Sequence, residues 1–502
     1  MSVSEKLISN TVYLFLDWLI LTSMGFLYWS IAGKTLLPEE YGIVSTSVNL
    51  AIVLSGVSLL GLNTATWKLI PEYLAKKQKG KINSLIRFSL KVILISNLFF
   101  VLVLFSFSSF FQSILKTPLI AIWLTAITLF IISLSTQFGT IIYGFQDMKI
   151  FLETDWWGQL AKVSISTILI FFGLGYLGPL VGFLIGFLVI TLLRFFFIPF
   201  KGMLGKINKK KIFFDYALPT FIANLAWIIF LNGQYVLLTI LKNPETTGIF
   251  TIAMILTYPI TVIPQTLTSA LLPITSQLSI DRNSKKKVSH LIELVFRYAL
   301  FLALPVALFL MLFSKPIILI FSRVEYLPAS QLFPILALSS VVYGLGNVFL
   351  YNLYAIGKIK INRNIVIVTT FLFFIFAVPL ILVFSALGLA IAYILATTIL
   401  TLLSFYYIRK NLEVKLVWGS IGKLILASLI SFSFLYVTTS FTSGLLAGIF
   451  LTIIAGLIYI EVLILLKFYI KEDVIILEFF ASKSPLFKKQ ILFLAKFISR
   501  FT

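Results

Sequence analysis

Long apolar runs, interrupted by short polar clusters, fill the chain from about residue 9 to residue 467. A helix crossing the hydrocarbon of a bilayer needs about 20 mostly apolar residues. Fourteen segments reach that length: 9–33, 42–67, 86–112, 118–144, 154–174, 179–200, 214–241, 247–276, 288–313, 327–355, 362–384, 386–408, 417–440 and 443–467. The pattern predicts an all-α polytopic membrane protein with about 14 transmembrane helices. Several segments end on Gly or Pro turns, among them Leu177-Gly178-Pro179 and Leu387-Gly388. The first carries Asp17 and is followed by no small-residue cleavage site, so it reads as a span rather than a cleaved signal. After Lys467 the pattern changes. Residues 471–502 mix Ile, Leu and Phe with Lys488, Lys489, Lys496 and Arg500, and the piece after Pro485 predicts an amphipathic helix on the inner leaflet.

The polar clusters orient the spans. With the N-terminus in the cytoplasm, the external segments hold Lys34, Lys116, Lys242, Lys315 and Arg323, and the other 35 of 40 Lys and Arg fall on or near the cytoplasmic side. Runs such as Lys209-Lys210-Lys211 and Lys285-Lys286-Lys287 land there too. A missed span would reverse every later loop, so the asymmetry supports the parity, with both termini cytoplasmic in the cell membrane. Composition agrees: 60% of residues are hydrophobic and 12% charged, where a soluble chain carries roughly a quarter charged. The net charge of +22 then belongs to membrane loops, and no nucleic-acid partner is implied. Cys is absent and His290 stands alone. That excludes disulfides, thiolate or multi-histidine metal sites and most histidine-based catalysis. No cofactor is implied.

The chain also repeats itself. Pro38-Glu39-Glu40-Tyr41-Gly42-Ile43 recurs as Pro244-Glu245-Thr246-Thr247-Gly248-Ile249 at an offset of 206. Leu85-Ile86 maps onto Leu291-Ile292 and Lys91 onto Arg297 at the same offset; Tyr143-Gly144 and Lys149-Ile150 recur at 211 and Leu177-Gly178 at 210. Each copy covers six segments. An even number preserves orientation, so two pseudo-symmetric lobes about an axis along the bilayer normal are expected. The organisation is residues 1–205, 206–410, two further helices over 411–469 and a basic amphipathic tail over 470–502. The second copy holds more prolines inside its segments, including Pro219, Pro259, Pro264 and Pro273, so segments 7 and 8 are expected to flex or kink beside a cavity.

Leu37-Pro38-Glu39-Glu40-Tyr41-Gly42, the stretch from Gly61 to Lys76, Thr247-Gly248-Ile249-Phe250 through Pro264-Gln265 and Leu272-Pro273, Glu325-Tyr326 and Tyr354-Ala355-Ile356-Gly357-Lys358 carry a resemblance. Together they resemble the polysaccharide exporter and lipid-linked oligosaccharide flippase family, whose superfamily also holds lipid II flippases and multidrug extruders. Arg323-Val324 stands where that family has Gly before its Glu-Tyr pair. The resemblance covers segments 1 to 12. It implies alternating access, with a polyprenyl-linked oligosaccharide turned over, its headgroup in a cavity and its tail in lipid. It implies transport rather than catalysis, by a monomer among membrane lipids.

Ionisable residues at depth are candidates for such transport. Asp17 lies about eight residues into segment 1, or ~12 Å. It reads as a coupling site for H⁺ or Na⁺, or as a structural partner for a nearby Lys or Arg. Lys91 and Arg297, with Lys68 and Lys162, sit near cytoplasmic ends. Lys91, Arg297 and Lys68 read as receivers of a pyrophosphate or as snorkelling cations. Asn63, Asn224, Asn232, Gln234, Gln265 and Asn347 read as sugar-binding amides or as interhelical hydrogen-bonding residues. An ion-coupled multidrug or metabolite antiporter on the same fold is the alternative function. A glycosyltransferase is disfavoured, since the external loops are too short to hold an acceptor.

Overall fold

The apolar runs fold as helices because a chain in hydrocarbon must satisfy its backbone within each segment. The computed structural model describes residues 3–199, 202–279, 284–415, 418–439 and 445–483, with 489, 492, 495, 496 and 499 beyond them. The amphipathic helix expected after Pro485 falls mostly outside these residues. The helices are α1 Val3–Thr35, α2 Pro38–Ser58, α3 Leu62–Ala75, α4 Lys79–Ser106, α5 Ser108–Leu115, α6 Leu119–Gly144, α7 Met148–Phe171 and α8 Leu177–Phe195. Next come α9 Lys209–Leu241, α10 Pro244–Leu278, α11 Lys285–Leu312, α12 Ser314–Phe321, α13 Phe333–Ala355 and α14 Ile359–Leu412. Then follow α15 Trp418–Thr439, α16 Leu445–Leu465 and α17 Lys471–Lys483.

Eleven of these helices are long and apolar enough to cross a membrane. The chain is a multi-pass membrane protein. The difference from fourteen segments has local causes. Helix α14 runs 54 residues and contains two segments, divided at Ser385 with φ 56° and ψ −133°. Gly388 there lies against the Leu380 carbonyl with no room for a Cβ, so the chain turns back on itself. Helix α7 covers the fifth segment but carries Lys149, Glu153, Asp155 and Lys162. Helix α16 offers a shorter apolar stretch, Phe450–Leu465.

One expectation is corrected in detail. Segment 2 is not one helix: Leu60 and Gly61 have φ of 49° and 73°, and the chain restarts as α3. Gly61 is required there, because a Cβ would meet the Ala217 carbonyl. Helix α10 carries Pro259, Pro264 and Pro273 within it. In α9, π-helical turns occupy Ile212–Ala217 and Ile229–Gly233, the kind of local widening that recurs at functional positions.

The repeat is visible in the helix boundaries. Helix α4 (79–106) and α11 (285–312) begin and end 206 residues apart, as do α5 (108–115) and α12 (314–321). Gly144 and Ala355, which end α6 and α13, are 211 apart.

The chain divides into two compact units. The first comprises Met1–Leu256, Lys315–Leu336 and Arg363–Ala396. Its densest packing is the α7–α8 hairpin. Gly178, Gly182 and Gly186 recur every four residues on α8, and they bring its backbone against Ser166, Lys162 and Gly158 of α7. Small residues at this spacing permit close helix approach where lipid supplies no hydrophobic drive. The second comprises Thr257–Ser314, Ala337–Asn362 and Thr397–Thr502. There, α17 is tied to α11 by Arg297, whose Nη2 lies 2.6 Å from Asp473 Oδ2 and whose Nη1 lies 3.0 Å from Oδ1. Arg297 Nη2 also donates to the Phe468 carbonyl at 2.9 Å, and Tyr298 Oη donates to Asp473 at 2.5 Å.

Candidate functional site

In the first unit, charged side chains gather inside the apolar helices. Helix α1 turns Phe15, Leu16 and Leu19 outward, yet Asp17 is only 5% exposed. Helix α7 places Asp155, Gln159 and Lys162 on one face, at helical spacings of four and three. All three are buried. Helix α8 contributes Arg194 from its last turn. The Arg194 guanidinium donates to Asp155 Oδ1 at 2.7 Å, to Thr154 Oγ1 at 3.2 Å and to the Ser135 carbonyl at 3.1 Å. It also stacks 4.4 Å from the Phe151 ring centroid. Gly139 makes this reach possible, since a Cβ there would lie 2.7 Å from Arg194 Nη1. Lys162 Nζ lies 5.1 Å from the Tyr28 ring centroid.

The cluster is formally balanced, with two carboxyls, one guanidinium and one ammonium. Its weak point is Asp17. The Asp17 carboxyl faces Asp155, and its Oδ1 is buried without a hydrogen-bond partner among the described residues. Arg194 satisfies Asp155, whereas Asp17 shares a carboxyl–carboxyl hydrogen bond with Asp155 and keeps its Oδ1 unpartnered among the described residues. Beside the cluster lies a cavity of about 460 Å³, lined by Asp155, Gln159 and Arg194 together with Trp67, Tyr143, Thr136 and Thr140. Trp67 and Tyr143 meet edge to face at 5.4 Å. The cavity's walls are mostly apolar, with Asp155 and Arg194 on one side and Thr136 and Thr140 among the rings, a lining suited to a ligand with both apolar and polar parts.

The other candidates are distributed. In the first unit, Asn224 Nδ2 donates to Thr64 Oγ1 at 3.0 Å, Asn63 is half-buried, and Asn232 Nδ2 donates to the Ile228 carbonyl. Gln234 is buried and donates to the Leu231 carbonyl. Lys91 is exposed. Lys68 is exposed and lies 4.6 Å from the Tyr216 ring centroid. In the second unit, Gln265 is half-buried. Asn347 is fully buried with neither amide atom partnered among the described residues. Arg297 is buried and engaged by Asp473.

Sequence reasoning selected Asp17 but passed over Asp155 and Arg194, both near the ends of their segments. The repeat holds the missing signal. At the repeat offset, Asp155 corresponds to Ile365 or Val366 and Arg194 to Ser404. Charges kept in one copy only are not explained by the shared fold.

The polysaccharide biosynthesis protein family matches residues 7–279, and the MatE family matches residues 219–382. An uncharacterized membrane protein of Methanocaldococcus jannaschii is 24% identical over 445 residues, covering 82% of this chain and 86% of that protein. Among solved structures, the lipid II flippase MurJ in an inward closed conformation superposes with a TM-score of 0.73 at 19% identity, covering 93% of this chain and 100% of that one. An inward-facing multidrug resistance transporter of the MATE family and MOP superfamily gives 0.63 at 18% identity, covering 80% and 98%. The fold is therefore that of this transporter superfamily.

Proposed function

The chain belongs to the polysaccharide biosynthesis protein family, and on that premise we propose that it is an alternating-access flippase. Its cargo is a polyprenyl-linked oligosaccharide, carried across the cytoplasmic membrane by two six-helix lobes, 1–205 and 206–410. The observation that carries this reading is the buried Asp17, Asp155, Arg194 and Lys162 cluster beside a cavity of about 460 Å³ with hydroxyl and aromatic walls. A headgroup of hydroxyls and phosphates needs such a polar path, since each unsatisfied polar group at depth costs several kcal/mol. The protein acts as a monomer with both termini in the cytoplasm. Asp17 couples the cycle to H⁺ or Na⁺, through its unpartnered oxygen and the carboxyl–carboxyl hydrogen bond it shares with Asp155. Lys91 remains a candidate for meeting pyrophosphate at the inner interface. Arg297 can do so only by releasing Asp473.

The test is reconstitution in vesicles with a fluorescent polyprenyl-pyrophosphate sugar and an imposed ion gradient. Wild-type protein is expected to make the outer-leaflet label accessible to quencher. Asp17→Asn is expected to remove the gradient dependence while the protein stays monodisperse. Wild-type rates in that variant would defeat the coupling role. The second reading is an ion-coupled multidrug or metabolite antiporter, favoured by the match of residues 219–382 to the MatE family. Proton flux stimulated by a cationic drug, with no lipid turnover, would select it.

A further inference from the structure

Two contacts within the first unit occur twice, with the roles of the two repeat copies exchanged, and a further one joins repeat mates directly. A Cβ at Gly42 would run into the Pro244 carbonyl, and a Cβ at Gly248 into the Pro38 carbonyl. These residues pair at an offset of 206: 38 with 244 and 42 with 248. One turn further along, Ser45 and Thr251, again 206 apart, join their hydroxyls at 2.8 Å. Both are buried, at 0% and 2% exposure. The third contact is a hydrogen bond from a cation to a backbone carbonyl. Lys116 Nζ donates to the Lys242 carbonyl, and Arg323 Nη1 donates to the Thr35 carbonyl at 3.3 Å. Here 116 pairs with 323 and 35 with 242, both 207 apart.

Contacts that exchange partners in this way surround a local two-fold axis, and only residues near such an axis can touch their own repeat mates. We infer that the Gly42–Gly248 crossing is the closed outer gate of the transporter, sitting on its two-fold axis and held by a ring of cationic staples. Three of the five cations expected outside, Lys34, Lys116 and Arg323, belong to that ring. Lys34 Nζ donates to the Leu319 and Ser322 carbonyls at 2.7 and 3.2 Å. Each of these staples joins one repeat copy to the other, so opening must break them together. The crossing itself has no room for a methyl group, so the gate's geometry depends on glycine at both positions. The Ser45–Thr251 pair then seals the layer beneath, where an unpaired hydroxyl would cost more in a dry interior than in an open, wet one.

This inference rests on the alternating-access reading, but its test needs no substrate. The chain contains no Cys, so Asn49→Cys introduces a single thiol beside the hydroxyl pair; Asn49 Nδ2 donates to the Ser45 carbonyl at 2.8 Å. Labelling by a membrane-impermeant maleimide is followed from each side of sealed vesicles. Gly42→Ala and Gly248→Ala are expected to raise labelling from the outer side about fivefold or more, by shifting the population towards the open state. Lys34→Met and Arg323→Gln, exposed changes that leave helix packing intact, are expected to act in the same direction. They decide the matter if the glycine variants fail to fold. Unchanged labelling in the staple variants, or a rise from the cytoplasmic side only, overturns the gate. Labelling that responds while no lipid is turned over would instead leave the gate standing and remove the flippase.

Discussion

Asp17 is held inward on a helix whose neighbouring side chains face outward, so its burial has to be maintained by what it meets on α7 and α8. Those partners are not equal. Arg194 donates three hydrogen bonds and stacks on Phe151, which makes it the fixed member. Asp17 keeps a bare oxygen, which makes it the responsive one. Removing one partner of a buried ion pair strands the other and costs about 3–5 kcal/mol, whereas replacing both is far cheaper. Arg194→Met is therefore expected to lower thermal stability in detergent sharply. Arg194→Met combined with Asp155→Leu is expected to recover most of the loss. An equal loss in the single and double variants would mean that the pair is not the source of the effect. At this scale sequence reading recovered half the cluster. Asp17 lies deep in its segment and stands out, while Asp155 and Arg194 lie where interfacial charges are ordinary.

At the scale of helices, length and apolarity located nearly every element, because lipid demands a fixed length of apolar chain. What hydropathy could not register was backbone detail. The break at Gly61 follows Leu59-Leu60, which keep the local pattern apolar, and the π turns of α9 change geometry without changing composition. The α7–α8 hairpin was more legible, in the glycines of α8. Gly182 lies against Ser166, where even a Cβ would crowd backbone atoms at 2.7 and 2.9 Å. Gly182→Leu is expected to force the hairpin apart. It should cost about 1–3 kcal/mol or more, as overpacking does, and it should displace Lys162 on the facing helix. The check is thermal unfolding alongside the transport assay. Gly419→Leu serves as a control, since no atom lies within 4 Å of a Cβ there.

For the molecule as a whole, the repeat was the most informative reading. It anticipated equal helix boundaries 206 residues apart, although single matches of a few residues are weak. It could not anticipate that Arg297, repeat mate of exposed Lys91, would be occupied by a carboxylate 176 residues away. That contact gives the chain after the last apolar helix a structural task. Asp473 accepts from Arg297, Tyr298 and the Ile470 N–H, holding α17 against α11. Asp473→Ala is expected to free this segment, visible as faster proteolysis after Lys467 and a lower melting temperature. Arg297→Met with Asp473→Leu should restore the melting temperature, and failure to do so would assign the effect elsewhere.

The charge cluster exists in one copy of a duplicated scaffold, with Ile365 or Val366 and Ser404 at the mirrored positions. If Asp17 takes up the driving ion, as proposed, each turn moves one ion, and that sets a ceiling on the work done. A driving difference of about 1.4 kcal/mol per ion can sustain no more than a ~tenfold excess of cargo in the receiving leaflet. Doubling the cluster in the second copy would square that ratio, at the cost of a slower cycle that waits for two ions. A lipid carrier consumed as soon as it arrives needs little accumulation, and for such a cargo one ion suffices.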